Sequence, residues 1–485
     1  MPRALLVLLL LVPTAFAEPL SFRLSFPAEA RREAFTGRAY VVLFKGDAPT
    51  LRSGVNWFNP EPMFAVDVRN VKPGEPIVID AKALHHPLPM AKLPRGTYTI
   101  QAILDTAPGV ASFSTAPGNL YAIRKQELHP DAGPITLSLD KVYRDPPFTA
   151  TPRVKLLDIE SKLLSGFHKR PTRMRAGVIL PASYATSSER RYPVVYEIPG
   201  FGGRHTAAQD PRRLTLTDRA GVEVIHVILD PTCHHGHHVF ADSANNGPCG
   251  QALVRELIPT LEKTFRTQGK GARLVTGHSS GGWSSLWLQV TYPDVFDGCW
   301  STAPDPVDFR SFQYMNLYRE GENFYTDPAG KIRPLARVGG KVRLTFRPFT
   351  DMETVMGHGG QLASFEGAFS ERGPDGQPRR LWNRETGAID TAVARTWEKY
   401  DICLVLKREW KTRGPLLKGK IHVYMGEEDT FYLEGATKLL RDELKKLGSD
   451  ARVELFPGKD HSSVMDTALR TRIAREMADR LKAKR

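Results

Sequence analysis

The chain has 485 residues, 41% of them apolar and 25% charged, with 67 Lys+Arg against 53 Asp+Glu and only 4 Cys. That near-average balance excludes a disordered, collagen-like or disulfide-scaffold protein, and the length allows about two to four domains with cores of their own. The net charge of +14 is interleaved with acids, as in Arg255-Glu256 and Arg441-Asp442-Glu443, so no phosphate-binding stripe forms and no nucleic-acid partner is expected.

Residues 1–17 place Arg3 ahead of the apolar run Ala4 to Val12 and the small-residue pattern Ala15-Phe16-Ala17 ahead of Glu18, the layout of a cleavable secretory signal. The run is far shorter than the ~20 residues that span a bilayer. A secreted or periplasmic protein is expected, with no stable membrane insertion after cleavage and in a compartment that permits disulfides.

From Glu18 to Tyr143 apolar residues recur at every second position between Gly, Pro and Asp breaks. Strands are predicted at Ser21 to Phe26, Ala39 to Phe44, Phe64 to Val68, Ile77 to Asp80, Tyr98 to Leu104, Leu120 to Arg124 and Ile135 to Leu139. In the clearest, Tyr98, Ile100, Ala102 and Leu104 share one face and Thr97, Thr99, Gln101 and Ile103 the other, which predicts a half-buried strand. Short strands at this spacing fit an all-β, immunoglobulin-like sandwich over 18–143. Arg144-Asp-Pro-Pro-Phe148 reads as a linker.

The pattern then changes to strands alternating with helices over 149–485, the signature of a mostly parallel sheet covered on both sides. Strands are predicted at Val194 to Ile198, Val222 to Leu229, Arg273 to Thr276, Ile421 to Met425 and Val453 to Phe456. Helical spacing marks Leu253, Leu257, Leu261 and Phe265, then Trp283 to Val290, and Leu433 to Leu447. The Lys/Arg-dense stretch Arg470 to Arg485 has helical spacing too. Between about Val307 and Lys418 that rhythm stops, while aromatic residues from Phe312 to Trp410 accumulate. A structureless loop of that length is improbable in a compact domain, so an inserted lid is expected, its aromatics forming its own core or lining a pocket.

Chemistry concentrates at Gly277-His278-Ser279-Ser280-Gly281-Gly282-Trp283, between a strand and a helix. A serine on such a tight turn needs small residues two positions away on each side. Gly277 and Gly281 meet that need for Ser279, whereas Ser280 has His278 and Gly282 in those places. A serine hydroxyl also needs a base, and the base an orienting acid. In the order serine, acid, histidine typical of α/β-hydrolases, the strand ending at Met425 leads into Gly426-Glu427-Glu428-Asp429, and the next leads into Pro457-Gly458-Lys459-Asp460-His461. Asp429 and His461 are the expected partners, with Glu428 as the alternative acid and Asp460 less suited. The backbone N–H of Ser280 and that of Phe201, in the glycine-rich loop Pro199-Gly-Phe-Gly-Gly203, are the expected oxyanion donors.

Together Tyr196 to Gly203, the helix Leu253-Val-Arg-Glu-Leu-Ile-Pro259, the elbow Gly277 to Trp283 and the turns at Gly426 to Asp429 and Pro457 to His461 resemble the esterase-D-like family of α/β-hydrolases, which includes feruloyl and enterochelin esterases. The resemblance spans about Pro181 to Val464 outside the insertion. It implies a carboxylic ester hydrolase acting through an acyl-enzyme, and a β-sandwich ahead of the catalytic domain is similar to the enterochelin-esterase arrangement. The family often has Met after the nucleophile, where this chain has Ser280, and the aromatic insertion is longer than usual.

Cys233-His-His-Gly-His-His238 is rich in metal-ligand types, but Pro231 and Gly236 argue for a loop near the pocket and no acid sits at zinc-protease spacing, so no metal and no cofactor are assigned. Cys233 and Cys249 bracket this loop and are candidates for a bridge, while Cys299 and Cys403 read as buried apolar residues. Asp242, Asn245, Asn246, Asp305 and Asp308 are candidate substrate contacts, with turn residues bonding their own backbone as the alternative. The reading is an exported serine hydrolase with Ser279, His461 and Asp429, acting on a small-molecule or polymer-linked ester, with no substrate-binding residue assigned. A serine peptidase or acyltransferase with the same triad, or a non-catalytic ligand-binding protein on this fold, are the alternatives.

Overall fold

The computed structural model describes residues 18–107 and 109–483, so the signal-like segment 1–17 lies outside the described residues. They fall into two compact units, one of residues up to Thr106 with Pro117–Arg144, the other of Ala107–Ala116 with the chain from Asp145 onward.

The first unit is all-β. Its strands are β1 (Ser21–Ser25), β2 (Phe35–Lys45), β3 (Met63–Val71), β4 (Ile77–Ile79), β5 (Leu84–His86), β6 (Gly96–Leu104), β7 (Leu120–Leu128), β8 (Pro134–Ser138) and β9 (Lys141–Val142). An antiparallel sheet ordered β5-β3-β2-β6-β7-β9 and a three-stranded sheet β4-β1-β8 share one core, in which Phe22 and Leu24 of β1 meet Val41, Phe64 and Ile100. The prediction for Tyr98 to Leu104 needs correction, because both of its faces are buried. Residues 48–52 cover the polar face, where Gln101 Nε2 donates to the carbonyls of Ala48 at 3.1 Å and Thr50 at 2.7 Å. The polar side chains on that face therefore satisfy buried loop backbone instead of meeting water.

The second unit begins with β10 (Val154–Glu160), α1 (Lys162–His168), β11 (Arg173–Ile179) and β12 (Val194–Ile198). A hairpin of β13 (Asp218–Arg219) and β14 (Val222–Glu223) precedes β15 (Ile225–Leu229). The single strand predicted from Val222 to Leu229 is thus two: Ala220 and Gly221, both at positive φ, turn the chain so that Val222 pairs back to Arg219 before Ile225 enters the main sheet. Two further small hairpins follow, β16 (Thr232–Cys233) with β17 (Gly236–His237) and β18 (Asp242–Ser243) with β19 (Gly247–Pro248). Then come α2 (Cys249–Ala252), a π-helical stretch Leu253–Leu257, α3 (Ile258–Thr264), β20 (Arg273–His278), α4 (Ser280–Thr291) and β21 (Gly298–Thr302).

The insertion contains a hairpin of β22 (Pro334–Val338) and β23 (Lys341–Thr345), followed by α5 (Phe346–Met356), α6 (Gln361–Phe369), α7 (Thr391–Thr396) and α8 (Ile402–Leu417). The unit closes with β24 (Ile421–Gly426), α9 (Glu434–Lys446), β25 (Arg452–Phe456) and α10 (Thr467–Lys482). The main sheet is ordered β10-β11-β15-β12-β20-β21-β24-β25 and is parallel from β15 to β25. Its strands β12, β15 and β21 are buried almost throughout because both faces of the sheet are covered. Among the described residues no helix is long and apolar enough to cross a membrane.

Most aromatics of the insertion pack on one another. Phe324 stacks on Trp382 at 4.1 Å between ring centroids, and Trp397 meets Phe369 at 5.3 Å and Phe309 at 5.9 Å. Phe369 also reaches Trp283 of α4 at 5.0 Å, so this aromatic core is continuous with the helix that follows the elbow.

Candidate active site

In the sheet, β12 and β20 are neighbours, and the chain leaves β12 toward β15 on one side but leaves β20 toward β21 on the other, so the two connections run in opposite directions. Loops at the carboxyl ends diverge at such a point and open a crevice. The two loops that border it here are 199–203 after β12 and the turn after β20. They touch: a Cβ on Gly200 would stand 3.2 Å from the His278 carbonyl oxygen and 3.3 Å from Ser279 Cβ.

The turn itself is possible only with glycine at both flanks. A Cβ on Gly277 would lie 2.1 Å from the Gly281 oxygen, and one on Gly281 would lie 1.9 Å from the Ile198 oxygen. Ser279 takes φ 60° and ψ −128°, a conformation that costs an L-residue about 1–3 kcal/mol. The surroundings hold it there: Ser279 N–H donates to Thr302 O at 3.0 Å, and Trp283 N–H donates to Ser279 O at 3.0 Å. Ser279 stays partly exposed, whereas Ser280 is buried with its hydroxyl donating to Asp305 Oδ2 at 2.6 Å. Of the two adjacent serines, only Ser279 is open to a substrate.

Asp429 and His461 arrive from the next two strand ends. The close of β24 lies so near the histidine loop that a Cβ on Gly426 would meet the Lys459 oxygen at 2.2 Å. The fully buried Asp429 accepts the His461 Nδ1–H through Oδ2 at 2.7 Å and the Phe431 N–H through Oδ1 at 2.8 Å. One carboxylate thus both orients the imidazole and holds its own turn. Arg337 of β22 clamps that turn from outside, donating to the Asp429 carbonyl at 3.0 Å. Of the other acids, Asp460 accepts the N–H groups of Ser462 and Ser463, and neither it nor Glu428 hydrogen-bonds the imidazole among the described residues.

With Nδ1 donating to Asp429, His461 Nε2 is left as the basic atom. Burial pulls this imidazole down, but the carboxylates of Asp429, Asp305 and Asp460 outweigh it and hold the group above its ordinary value. Ser279 Oγ and His461 form no hydrogen bond to each other among the described residues; their loops meet through His278, whose ring lies 4.8 Å from that of His461. Thr302 Oγ1 gives its proton to Gly277 O at 2.9 Å, so it accepts from His278 Nδ1 at 3.1 Å. Burial and the neighbouring His461 push His278 down to about 3, which keeps it an uncharged spacer.

The loop after β12 is a tight turn in which Gly203 N–H donates to Gly200 O at 2.9 Å and Gly202 supplies the φ of 78° that the third position needs. Phe201 sits at its second position. His237 braces this loop, donating Nε2–H to Pro199 O at 3.0 Å while Nδ1 accepts from Val239 N–H at 3.0 Å. Burial holds it neutral by pushing it down to about 4. Nothing in the sequence pattern separates His237 from its neighbours, because its task depends on a partner 38 residues away.

A family model described as "Putative esterase" matches residues 168–463, more than half of the chain. The chain belongs to this esterase family. Its second unit has the α/β-hydrolase-type fold, and membership supports ester hydrolysis as its chemistry. Among solved structures it is similar to a ferulic acid esterase (13% identity over 68% of this chain and 99% of that one, TM-score 0.44). It is also similar to an S-formylglutathione hydrolase from Agrobacterium tumefaciens (15% identity, 68% and 95% covered, TM-score 0.42). A third is a ferulic acid esterase from Anaeromyces mucronatus in complex with ferulic acid (14% identity, 70% and 93% covered, TM-score 0.34). No curated protein matches the chain by sequence.

The remaining candidate residues of this esterase have structural partners. His234 lies in the turn between β16 and β17, stacked on His358 at 4.7 Å, and His238 follows β17, its Nδ1 accepting from Phe240 N–H at 3.1 Å. Among the described residues no three His, Cys, Asp or Glu side chains converge as a metal site. The expected bridge is not formed: all four cysteines are free, and Cys249 Sγ turns instead onto the Asn246 carbonyl at 3.3 Å. Asp242 accepts from Gln251 N–H and Tyr292 Oη, Asn245 donates to Ser370 O, and Asp308 pairs with Arg310.

Proposed function

We propose that this esterase is an exported serine hydrolase that cleaves carboxylic esters through an acyl-enzyme carried on Ser279. His461 Nε2 takes the Ser279 proton as Oγ attacks the ester carbonyl, and the Asp429 carboxylate stabilises the imidazolium and fixes its tautomer. The N–H groups of Ser280 and Phe201 receive the charge that develops on the carbonyl oxygen. His461 then gives its proton to the departing alcohol. Water, deprotonated by the same imidazole, releases the acid. The observation that carries this reading is the strained, partly exposed Ser279 on a glycine-locked elbow whose His278 packs on the buried His461–Asp429 pair.

Export rests on the signal layout of residues 1–17. The domain reading is an immunoglobulin-like sandwich over 18–143 and a catalytic domain over 149–485 with a lid at 307–418. Two sheets sharing one core support the first, and the uninterrupted run of parallel strands supports the second.

Turnover of p-nitrophenyl acetate, methyl ferulate and a peptide p-nitroanilide tests the reaction class. Ester hydrolysis by the wild type, none by Ser279→Ala and no amide cleavage is the expected result. Cleavage of the anilide in preference to the esters would make the protein a peptidase, and no turnover of any of the three together with no covalent labelling would make it a binding protein.

A further inference from the structure

The residue after the nucleophile is polar and almost completely enclosed. Ser280 is 1% exposed and Asp305 5% exposed, yet both are hydrogen-bonded. Gln361 Nε2, at the first residue of α6, donates to Ser280 Oγ at 3.3 Å, and Ser280 donates onward to Asp305 Oδ2 at 2.6 Å. Asp305 also uses its backbone, its N–H reaching Ser279 O at 3.3 Å. The peptide unit joining Ser279 to Ser280 is therefore gripped twice by one residue: through its carbonyl, and through the side chain of Ser280, the residue that supplies its nitrogen. That nitrogen is the one whose hydrogen the proposed mechanism aims at the oxyanion.

The grip is itself braced. Pro304, just ahead of Asp305, lies where a Cβ on Gly282 would meet its Cα at 3.1 Å, so the strand exit after β21 is pressed onto the start of α4. On the other side Glu353 of α5 accepts the N–H groups of Leu362 at 2.8 Å and Ala363 at 3.0 Å, which fixes the first turn of α6 and hence the origin of Gln361. Both Gln361 and Glu353 come from the insertion, so the insertion contributes a donor to the nucleophile turn.

We propose that Asp305 is a positioning residue of this centre, which holds the 279–280 peptide at its oxyanion-binding orientation and, with Gln361, ties that orientation to the inserted segment. The inference rests on the serine-hydrolase reading above and deepens it.

The second contribution of Asp305 is its charge. The groups facing His461 are Asp429 from the turn after β24, Asp305 from the exit of β21, Asp460 from its own loop, and the uncharged His278 and Phe431 rings. Burial raises Asp305 itself to about 6, with the Ser280 and Gln361 bonds and the His461 charge acting the other way. Above that pH its negative charge helps keep His461 protonated to a higher pH than Asp429 alone allows.

Two substitutions separate grip from charge. Asp305→Asn keeps an acceptor for Ser280 and removes only the charge; the acid limb of its kcat/KM profile on p-nitrophenyl acetate is expected to move to lower pH by roughly half a unit or more, with the plateau kept. Ser280→Ala keeps the charge and removes the grip; kcat is expected to fall about tenfold with KM and the acid limb unchanged, less than the full loss of an oxyanion donor. If Ser280→Ala fails to fold, Gln361→Ala carries the test, since its side chain is partly exposed and its loss should lower kcat several-fold in a protein that melts like the wild type. Wild-type values of kcat and of the acid limb in all of the variants, in protein that still labels with a fluorophosphonate, would overturn the inference alone. A wild type that does not label would sink the hydrolase reading and this inference with it.

Discussion

The nucleophile turn and the inserted segment, both in the second unit, are built on opposite principles. Around Ser279 three glycines, Gly277, Gly281 and Gly282, lie so close to backbone atoms of β12, β21 and the turn itself that hardly any side-chain volume is permitted, and the stored strain sits in one serine. In the insertion, stability comes instead from rings: Phe309, Phe312, Phe324, Phe365, Phe369, Trp382 and Trp397 bury one another in a cluster that needs no single contact. The first arrangement sacrifices local stability for an exposed hydroxyl, and the second supplies packing. Changes at the turn should therefore alter rate far more than folding, and changes in the aromatic cluster should do the reverse.

The largest expected effect is that of Ser279→Ala, which should lower kcat by about a million-fold while leaving or slightly raising the melting temperature, because alanine removes only an oxygen from the partly exposed side chain. Asp429→Asn should follow, with a loss of about ten-thousand-fold in kcat, since the amide favours the wrong His461 tautomer; far-ultraviolet circular dichroism should be unchanged. In the other region Trp397→Ala should destabilise by about 3–5 kcal/mol in urea unfolding, with kcat of the folded fraction much less affected. Gly281→Ala is the place where the comparison should break: its Cβ would lie 1.9 Å from the Ile198 oxygen, so stability should fall by about 3 kcal/mol together with activity. Smallest is the pH effect. Because His461 must be uncharged to accept the proton and its carboxylate neighbours hold it above its ordinary value, kcat/KM should begin to fall at a pH above that of an isolated histidine and then drop about tenfold per unit.

The same contrast explains what could be read from the chain. The turn at Ser279 has a sequence pattern because steric demands two residues away allow only glycine, and the Asp429 and His461 turns follow strands with strong apolar runs. Hidden contributions are those whose partners are remote: Gln361 reaches Ser280 across 81 positions, His237 reaches Pro199 across 38, and Arg337 reaches Asp429 across 92. β10 and β11 were not legible, since Lys155, Asp158, Arg173 and Arg175 interrupt their apolar pattern where Arg173 and Arg175 pair with Asp158. In the first unit the polar face of β6 signalled solvent but is roofed by residues 48–52, a tertiary choice no local period encodes.

The most direct measurement is to treat the purified protein with a fluorophosphonate and map the adduct by peptide mass spectrometry. A single modified residue, Ser279, with labelling abolished in His461→Ala, is the expected result. An adduct on Ser280 or on another serine, or labelling indifferent to His461, would contradict it.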